Sequence, residues 1–217
     1  MPVTDDRSQT VMGRVLKLLE PFRESDGLTL TELAERTGFP RSSAHRLLLQ
    51  LVGVGWLRRN GTMYHFGPKM VELGSLARSH DRIYRAAVTT MYQLHKSTGM
   101  AVHLAVLEDD DLLYLEKIGG RWAAATLNTH AGQRRPAQGT AEGVALLAYR
   151  NRRASIVRER VVGYSAGEQV RCVALAFDAG CGEIAVLSLT GLVGQTPEGA
   201  GHDLVSAVDL VVSKLSA

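Results

Sequence analysis

The chain has 217 residues, of which 45% are hydrophobic, 22% charged and 6% aromatic, and its formal net charge is +3. That apolar fraction excludes wholesale disorder, and no apolar run approaches the roughly 18 residues that a membrane span needs. Met1 to Thr10 is polar and lacks the apolar segment of a secretory signal, and two cysteines, Cys172 and Cys181, cannot staple a scaffold of this size. The expectation is a soluble cytoplasmic protein of one large or two small domains, with no membrane contact, no metal and no cofactor.

The charge is unevenly spread. Residues 1–70 carry 10 Lys/Arg against 7 Asp/Glu, and the remainder balances at 15 of each. From Arg36 to Val71 there is no acid, whereas Arg36, Arg41, Arg46, Arg58, Arg59 and Lys69 are all basic. Such a stretch is a polyanion footprint if its cations share a face, and a solvated basic surface if they do not.

Along the chain, Val11, Val15, Leu18, Leu19 and Phe22 recur at helical spacing, with Pro21 marking the end. Thr29 and Glu32 form a capping box ahead of a short helix that closes near Thr37-Gly38. Pro40 suits the first position of a third helix, because its missing N–H would be unpaired there. In that helix Ala44, Leu47, Leu48 and Leu51 make the buried stripe, and Arg41, Ser42, Ser43, His45, Arg46 and Gln50 lie opposite. Two short helices about a glycine-containing turn are a helix-turn-helix pattern. Trp56 to Arg59, Asn60-Gly61 and Thr62 to Phe66 then read as a hairpin with a type I′ turn, in which both central residues take positive φ. A hairpin in that place is a wing. Arg41, Ser42, Ser43, His45 and Arg46 are therefore expected to approach bases or phosphates, and Arg58 and Arg59 to grip the DNA backbone. A winged helix used for protein contacts is the alternative.

The remainder reads as mixed strands and helices. Met70 to Arg78 is a linking helix. Ile83, Ala87, Met91 and Leu94 form an amphipathic stripe closed by Gly99. Strands are expected at 101–107 and 112–118, around 123–129, and at 170–177 and 183–190, with a helix capped by Thr140 running to about Tyr149. Leu204, Val208, Val211, Val212 and Leu215 end the described pattern on a helix. The acidic run Glu108 to Asp111 reads as a solvated hairpin tip, since no metal-ligand spacing is recognisable. This makes an α+β domain.

Several runs now carry a resemblance: Arg14 to Glu20, Leu28 to Pro40, Ser43 to Leu48, Tyr64 to Gly67 with Leu73-Gly74, Pro136 to Ala148, Val170 to Ala174 and Val186 to Gly191. This ordered set resembles the isocitrate-lyase-regulator (IclR) family of bacterial transcription factors. The resemblance implies a winged helix-turn-helix over 1–68, a linker helix over 69–82 and a GAF-like mixed α+β effector-binding domain over 83–217. It also implies a homodimer or homotetramer on a palindromic double-stranded DNA operator. The small-molecule effector is expected to be an organic acid or an aromatic.

Ser188 and Thr190 are two apart and so share a strand face. If the hairpin closes symmetrically about Gly180, Cys172 lies opposite Ser188. These hydroxyls either bond neighbouring backbone or line a pocket, and the helix that begins after Thr140 offers free amides that favour a carboxylate or a phosphate. The resemblance points to Ala141, Glu142, Cys172, Ser188 and Thr190, with Leu127 as an apolar wall, for effector binding. The chain departs from the family pattern at Gln138, where a His is usual, and at Val144, where a Lys is usual. Its segment between Arg150 and Val170 is also short, so the effector-binding domain is a shortened one.

Three rival readings remain. Gly163 to Gly167 matches the G-x-S-x-G nucleophile elbow with Ser165, and Asp178 and His202 follow in hydrolase order, but strand-like residues follow where the elbow needs a helix. Cys172 and Cys181 could sense oxidation or metal, without metal-ligand spacing. Arg150, Arg152, Arg153, Arg158 and Arg160 read as a solvated loop or a subunit interface, or as a further DNA contact.

Overall fold

The computed structural model describes residues 10–151, 158–163 and 169–216. The chain divides into two compact units, Met1–Ala77 and Arg78–Ala217.

In the first unit, α1 (Val11–Leu19) runs into a 3-10 turn at Glu20–Arg23 and then to β1 (Leu28–Thr29), α2 (Leu30–Thr37) and α3 (Arg41–Gly53). The strands β2 (Leu57–Asn60) and β3 (Met63–Phe66) follow, and β1 pairs with β3 to make the three-stranded sheet β1-β3-β2. The Thr29 capping box is present, with the Glu32 amide donating to Thr29 Oγ1 at 3.3 Å and the Thr29 amide donating to Glu32 Oε2 at 2.7 Å. Leu18, Leu33, Ala44, Leu48, Leu57 and Tyr64 are buried together, so the periodic apolar positions meet in one core, except Val11, which is exposed at the start of α1. Pro40 stands one residue earlier than expected, as the residue before α3, and no side chain caps that helix.

The wing turn is not of type I′. Asn60 is the last residue of β2 and pairs with Met63, so the loop is Gly61-Thr62. Positive φ occurs at Gly61 (58°) and not at Asn60 or Thr62, which places glycine where a type II′ turn needs it.

A fourth helix, α4 (Pro68–His80), has no buried residue, and Val71, Leu73 and Leu76 are exposed on it.

The second unit contains α5 (Arg82–Thr98), β4 (Ala101–Glu108), β5 (Asp111–Ile118), α6 (Arg121–Thr126), β6 (Arg134–Pro136), α7 (Ala141–Arg150), β7 (Arg158–Gly163), β8 (Gln169–Gly180), β9 (Glu183–Leu192) and α8 (Ala200–Leu215). The strands form one antiparallel six-stranded sheet, ordered β6-β5-β4-β9-β8-β7. One face carries Val102, Leu104, Leu175 and Leu187 against Ile83, Ala87 and Met91 of α5 and Leu204 and Val211 of α8. The other carries Ala105, Leu112, Tyr114, Cys172 and Ala174 against Ala141, Ala145 and Leu146 of α7. Helices on both faces of a sheet complete the α+β class.

Three expectations need correction here. Residues 123–129 are not a strand: Arg121–Thr126 is α6. Three successive alanines favour a helix, and the carbonyls at its end are met by Lys117, whose Nζ donates to Ala123 O at 3.1 Å, Leu127 O at 2.8 Å and Thr129 O at 2.9 Å. Second, the β8–β9 hairpin turns at Cys181-Gly182, both at positive φ (56° and 79°), not about Gly180. With the turn there and a one-residue register shift between Asp178 and Gly180, the pairing lies two residues from the expected one, so Cys172 faces Thr190 and Ser188 faces Ala174. Third, the arginine-rich segment is not a solvated loop throughout. Arg158 and Arg160 belong to β7, paired with Ala174 and Cys172, while Arg152 and Arg153 lie outside the described residues. Arg150 ties down the acidic β4–β5 turn, donating to Asp109 O at 2.9 Å and Asp110 Oδ1 at 3.2 Å.

Candidate functional site

The first unit offers a cationic surface. Its α3 turns Ala44, Leu47, Leu48 and Leu51 inward, which leaves Arg41, Ser42, His45 and Arg46 exposed and Ser43 half-buried. Strand alternation then separates the two wing arginines. Arg59 lines a hollow with Arg41, His45, Thr29, Thr31, Thr62 and Tyr64, and its guanidinium lies 5.6 Å from the centre of the Tyr64 ring. Arg58 lines a different hollow, with Arg23, Glu24, Asp26 and His65. The structure thus joins Arg59, and not Arg58, to the exposed face of α3. Among the described residues no acid forms an ion pair with Arg41, Arg46, Arg58 or Arg59. Thr31 and Thr62 carry no sequence signal of their own, and their part in this hollow comes from the packing of α2 and the wing.

The second unit offers a partly open pocket of about 140 Å³, of mixed polar and apolar lining, on the α7 face of the sheet. Leu127, Ala141, Glu142, Cys172 and Thr190 line it, together with Tyr114, Thr129, Arg135, Gly139, Thr140 and Val170. Five of the six residues singled out from sequence therefore meet in one cavity. Ser188 does not line it. It is fully buried, and its Oγ donates to Glu142 Oε1 at 2.7 Å. The Cys172 thiol sits 3.6 Å from the same oxygen. Burial first, and the nearby Glu142 carboxylate second, push the Cys172 thiol up, so it remains a protonated donor rather than a reactive thiolate. That argues against an oxidation sensor at Cys172.

Local structure explains how Glu142 reaches this place. Thr140 caps α7 by accepting from the Gly143 amide at 2.9 Å. Gly143 must lack a side chain, because a Cβ there would stand 2.0 Å from the Ala137 carbonyl oxygen. The close approach sets the first turn of α7 over the sheet, so that Glu142 points down onto β8 and β9. His103, on β4 opposite Ser188, is a residue the sequence did not mark. Its Nε2 lies 2.9 Å from Thr129 Oγ1, and its Nδ1 is buried without a partner. Burial lowers its pKa to about 4 against an opposing pull from Glu142, so the ring is neutral at ordinary pH. Arg135, on the edge strand β6, brings a half-buried guanidinium to the cavity and donates to Asn128 O at 2.7 Å.

The elbow serine, Ser165, lies outside the described residues. Around it β7 and β8 form an antiparallel pair, where a nucleophile elbow passes from strand into helix. Asp178 accepts from the Gly180 amide at 2.7 Å, as a turn residue does. Among the described residues no group of three or more His, Cys, Asp or Glu is placed to hold a metal ion, and no helix is long and apolar enough to cross a membrane.

The chain thus carries a winged helix-turn-helix, whose exposed Arg41, Arg46, Arg58 and Arg59 have no acidic partner among the described residues, and an α+β unit with a small pocket on one face of its sheet. The IclR helix-turn-helix domain matches residues 12–61, and the bacterial transcriptional regulator IclR C-terminal domain matches residues 76–158. The chain belongs to the IclR family. It is 29% identical over 158 residues to the HTH-type transcriptional regulator KdgR of Dickeya chrysanthemi, covering 70% of this chain and 52% of that protein. It is 32% identical over 139 residues to XynR of Escherichia coli, covering 63% and 55%. The chain spans about half the length of these curated relatives, which are transcriptional regulators and not hydrolases. An IclR homolog from Microbacterium hydrocarbonoxydans, crystallised with 4-hydroxybenzoate, shares the fold at a TM-score of 0.77 and 22% identity, over 95% of this chain and 99% of that one.

Proposed function

We propose that this protein is a cytoplasmic transcriptional regulator that binds a roughly palindromic operator as a dimer or tetramer and answers to a small organic acid. The observation that carries the DNA half is the exposed set Arg41, Arg46 and Arg59 with His45 beside them, whose three guanidinium groups have no acidic partner among the described residues. In this reading α3 enters the major groove, with Arg41, Ser42, Ser43, His45 and Arg46 at base edges or phosphates. Arg59 holds the backbone from the wing, and Arg58 stands further from the groove. Exposed Val11, Met12 and Leu16 on α1 and Val71, Leu73 and Leu76 on α4 support self-association, since apolar side chains in such number call for a covering partner. A second copy supplies the second half-site.

The effector binds in the pocket lined by Leu127, Ala141, Glu142, Cys172 and Thr190, with Ser188 acting from behind through Glu142. Its volume of about 140 Å³ is close to the roughly 150 Å³ that takes up benzene in an engineered cavity. The 4-hydroxybenzoate of the Microbacterium homolog fits that size class. Effector binding changes operator affinity only if the two DNA-binding arrangements bind effector differently.

A mobility-shift assay on the DNA upstream of the protein's own gene tests the reading. Specific retardation that weakens steeply with salt is expected. Salt-insensitive or absent binding by well-folded protein overturns it.

A further inference from the structure

We propose that the second unit holds a second small-molecule site, at the end of its sheet and apart from the pocket under α7. Its ligand is an amine with an apolar body, carrying an ammonium group and no carboxylate.

The site is a cavity of about 630 Å³, half open to solvent, and ligand pockets commonly span roughly 300–1,000 Å³. It lies where β4 turns into β5 and β8 into β9, and it shares no lining residue with the pocket under α7. Strand pairing builds its apolar part. Val106 stands opposite Leu113, and a bulge leaves Leu115 with no residue directly across from it. Bulges are frequent beside binding sites, where they re-aim a side chain. Ile83 and Ile184 border the same space. Val106, Leu113, Leu115 and Ile184 are only half-buried. Water therefore reaches apolar surface at this end of the sheet, and a ligand with an apolar body removes that surface from water.

Charge at the mouth decides the class of ligand. Asp81, Glu108, Asp109 and Glu183 line the cavity with one cation, Arg150. That guanidinium is engaged by Asp109 O at 2.9 Å and Asp110 Oδ1 at 3.2 Å. Arg82 pairs with Glu183 at 2.6 Å, and Arg134 stands 3.7 Å from Glu108. With Asp110 included, five carboxylates stand against three guanidinium groups. An anion is repelled there and an ammonium is attracted. Tyr149 lines the cavity too, and the face of an aromatic ring attracts a cation. The cation is organic. Among the described residues no group of three acids is placed to hold a metal ion, and apolar walls give a bare ion no ligand. Nor does the ligand have to assemble the wall. Arg82 also donates to Gly180 O at 2.6 Å, and Asp81 caps α5 by accepting from the Tyr84 amide at 2.6 Å. A wall held in this way leaves little ordering to be done on binding.

Methyl NMR of the full chain, titrated with phenethylamine, tests the site. Saturable shifts are expected at Ile83, Val106, Leu113, Leu115 and Ile184, with Leu127 and Ala141 of the other pocket unmoved. Three further probes are expected to bind there at least about tenfold more weakly. These are 3-phenylpropionate, which lacks the ammonium, phenylalanine, which adds a carboxylate, and methylamine, which lacks the apolar body. Glu108→Gln combined with Asp109→Asn is expected to weaken phenethylamine by a similar factor. Both residues are exposed, and Asn tolerates the positive φ of 60° at Asp109, so the fold is kept. Unchanged methyl positions elsewhere check that. Shifts absent from the five residues, or confined to Leu127 and Ala141, overturn the site. Equal binding of 3-phenylpropionate or phenylalanine, or full affinity in the double variant, overturns the cationic class. Equal binding of methylamine overturns the part given to the apolar body.

Discussion

The two units put their polar groups in opposite places. The first packs an apolar core from Leu18, Leu33, Leu48 and Leu57 and carries its cations outside, where water and counterions surround them. The second buries His103, Glu142, Ser188 and Thr190 at 5% exposure or less on one face of its sheet. Exposed charges cost the fold little and act through long-range attraction that salt screens. Buried polar groups must satisfy one another, so each depends on its neighbours and the fold depends on all of them. Changes in the first unit should therefore alter binding without altering stability. Changes to the polar cluster of the second should alter both.

The largest effect expected is on DNA. Arg41→Ala, Arg46→Ala and Arg59→Ala together remove three contacts, each worth about 1–3 kcal/mol, so operator affinity should fall by at least about a hundredfold. Chemical denaturation should show an unchanged midpoint. A large loss of stability instead would break the contrast between the units, because it would mean that these side chains hold the fold.

The next concerns pH and belongs to the second unit. Burial depresses the His103 pKa to about 4, below the ordinary value of about 6.5. The unfolded chain therefore binds a proton more readily than the folded one. Stability from the neutral ring is complete above about pH 6.5 and is lost as pH falls from there towards 4, for a total on the order of 3 kcal/mol. Denaturation midpoints of the full chain at pH 7.5, 5.5 and 4.5 should fall more steeply than those of His103→Phe, in which every other ionisable group remains. Equal slopes would show that the imidazole is not held neutral. Ser188→Ala is the smaller companion test. It takes from Glu142 its nearest donor and should cost about 1–3 kcal/mol of stability measured at pH 7.5.

These differences also decide what could be read from sequence. In the first unit periodicity fixes which side of a helix is buried, and the exposed residues follow by elimination; Arg41, Ser42, His45 and Arg46 come out this way without any tertiary contact being known. Hairpin chemistry is less legible, because a glycine serves more than one turn. Asn60-Gly61 looks like the type I′ pair, while the structure places positive φ on both residues at Cys181-Gly182, where the sequence suggests only a loop. In the second unit the shared face of Ser188 and Thr190 follows from strand alternation, but register does not. The observed pairing puts Thr190 and not Ser188 opposite Cys172, and Ser188 bonds Glu142 instead of lining the pocket. Thr129 lies between elements, Arg135 sits on a three-residue strand too short to show a period, and His103 sits in a strand whose neighbours on both sides are buried. Only the folded sheet brings them to the cavity.

The smallest expected effect tests whether strand alternation divides the wing. Arg58 and Arg59 are adjacent and equal in charge, so any argument from composition treats them alike. In the structure Arg58 pairs across the wing with His65 and shares a hollow with Glu24 and Asp26, whereas Arg59 pairs with Tyr64 and shares one with Arg41 and His45. Nearby acids offset the field of Arg58 at a phosphate, and strand geometry points it away from α3. Arg59→Ala should therefore weaken binding to every DNA sequence by about 1 kcal/mol and lower the salt slope by about 1. Arg58→Ala should change both by less than half as much. The measurement is a salt titration of operator and random-sequence affinity for the two variants in parallel. Equal losses would mean that the wing meets DNA edge-on with both faces in reach of phosphate. A larger loss at Arg58 would place the DNA on the other side of the wing and remove Arg59 from the α3 surface on which the proposed interface is built.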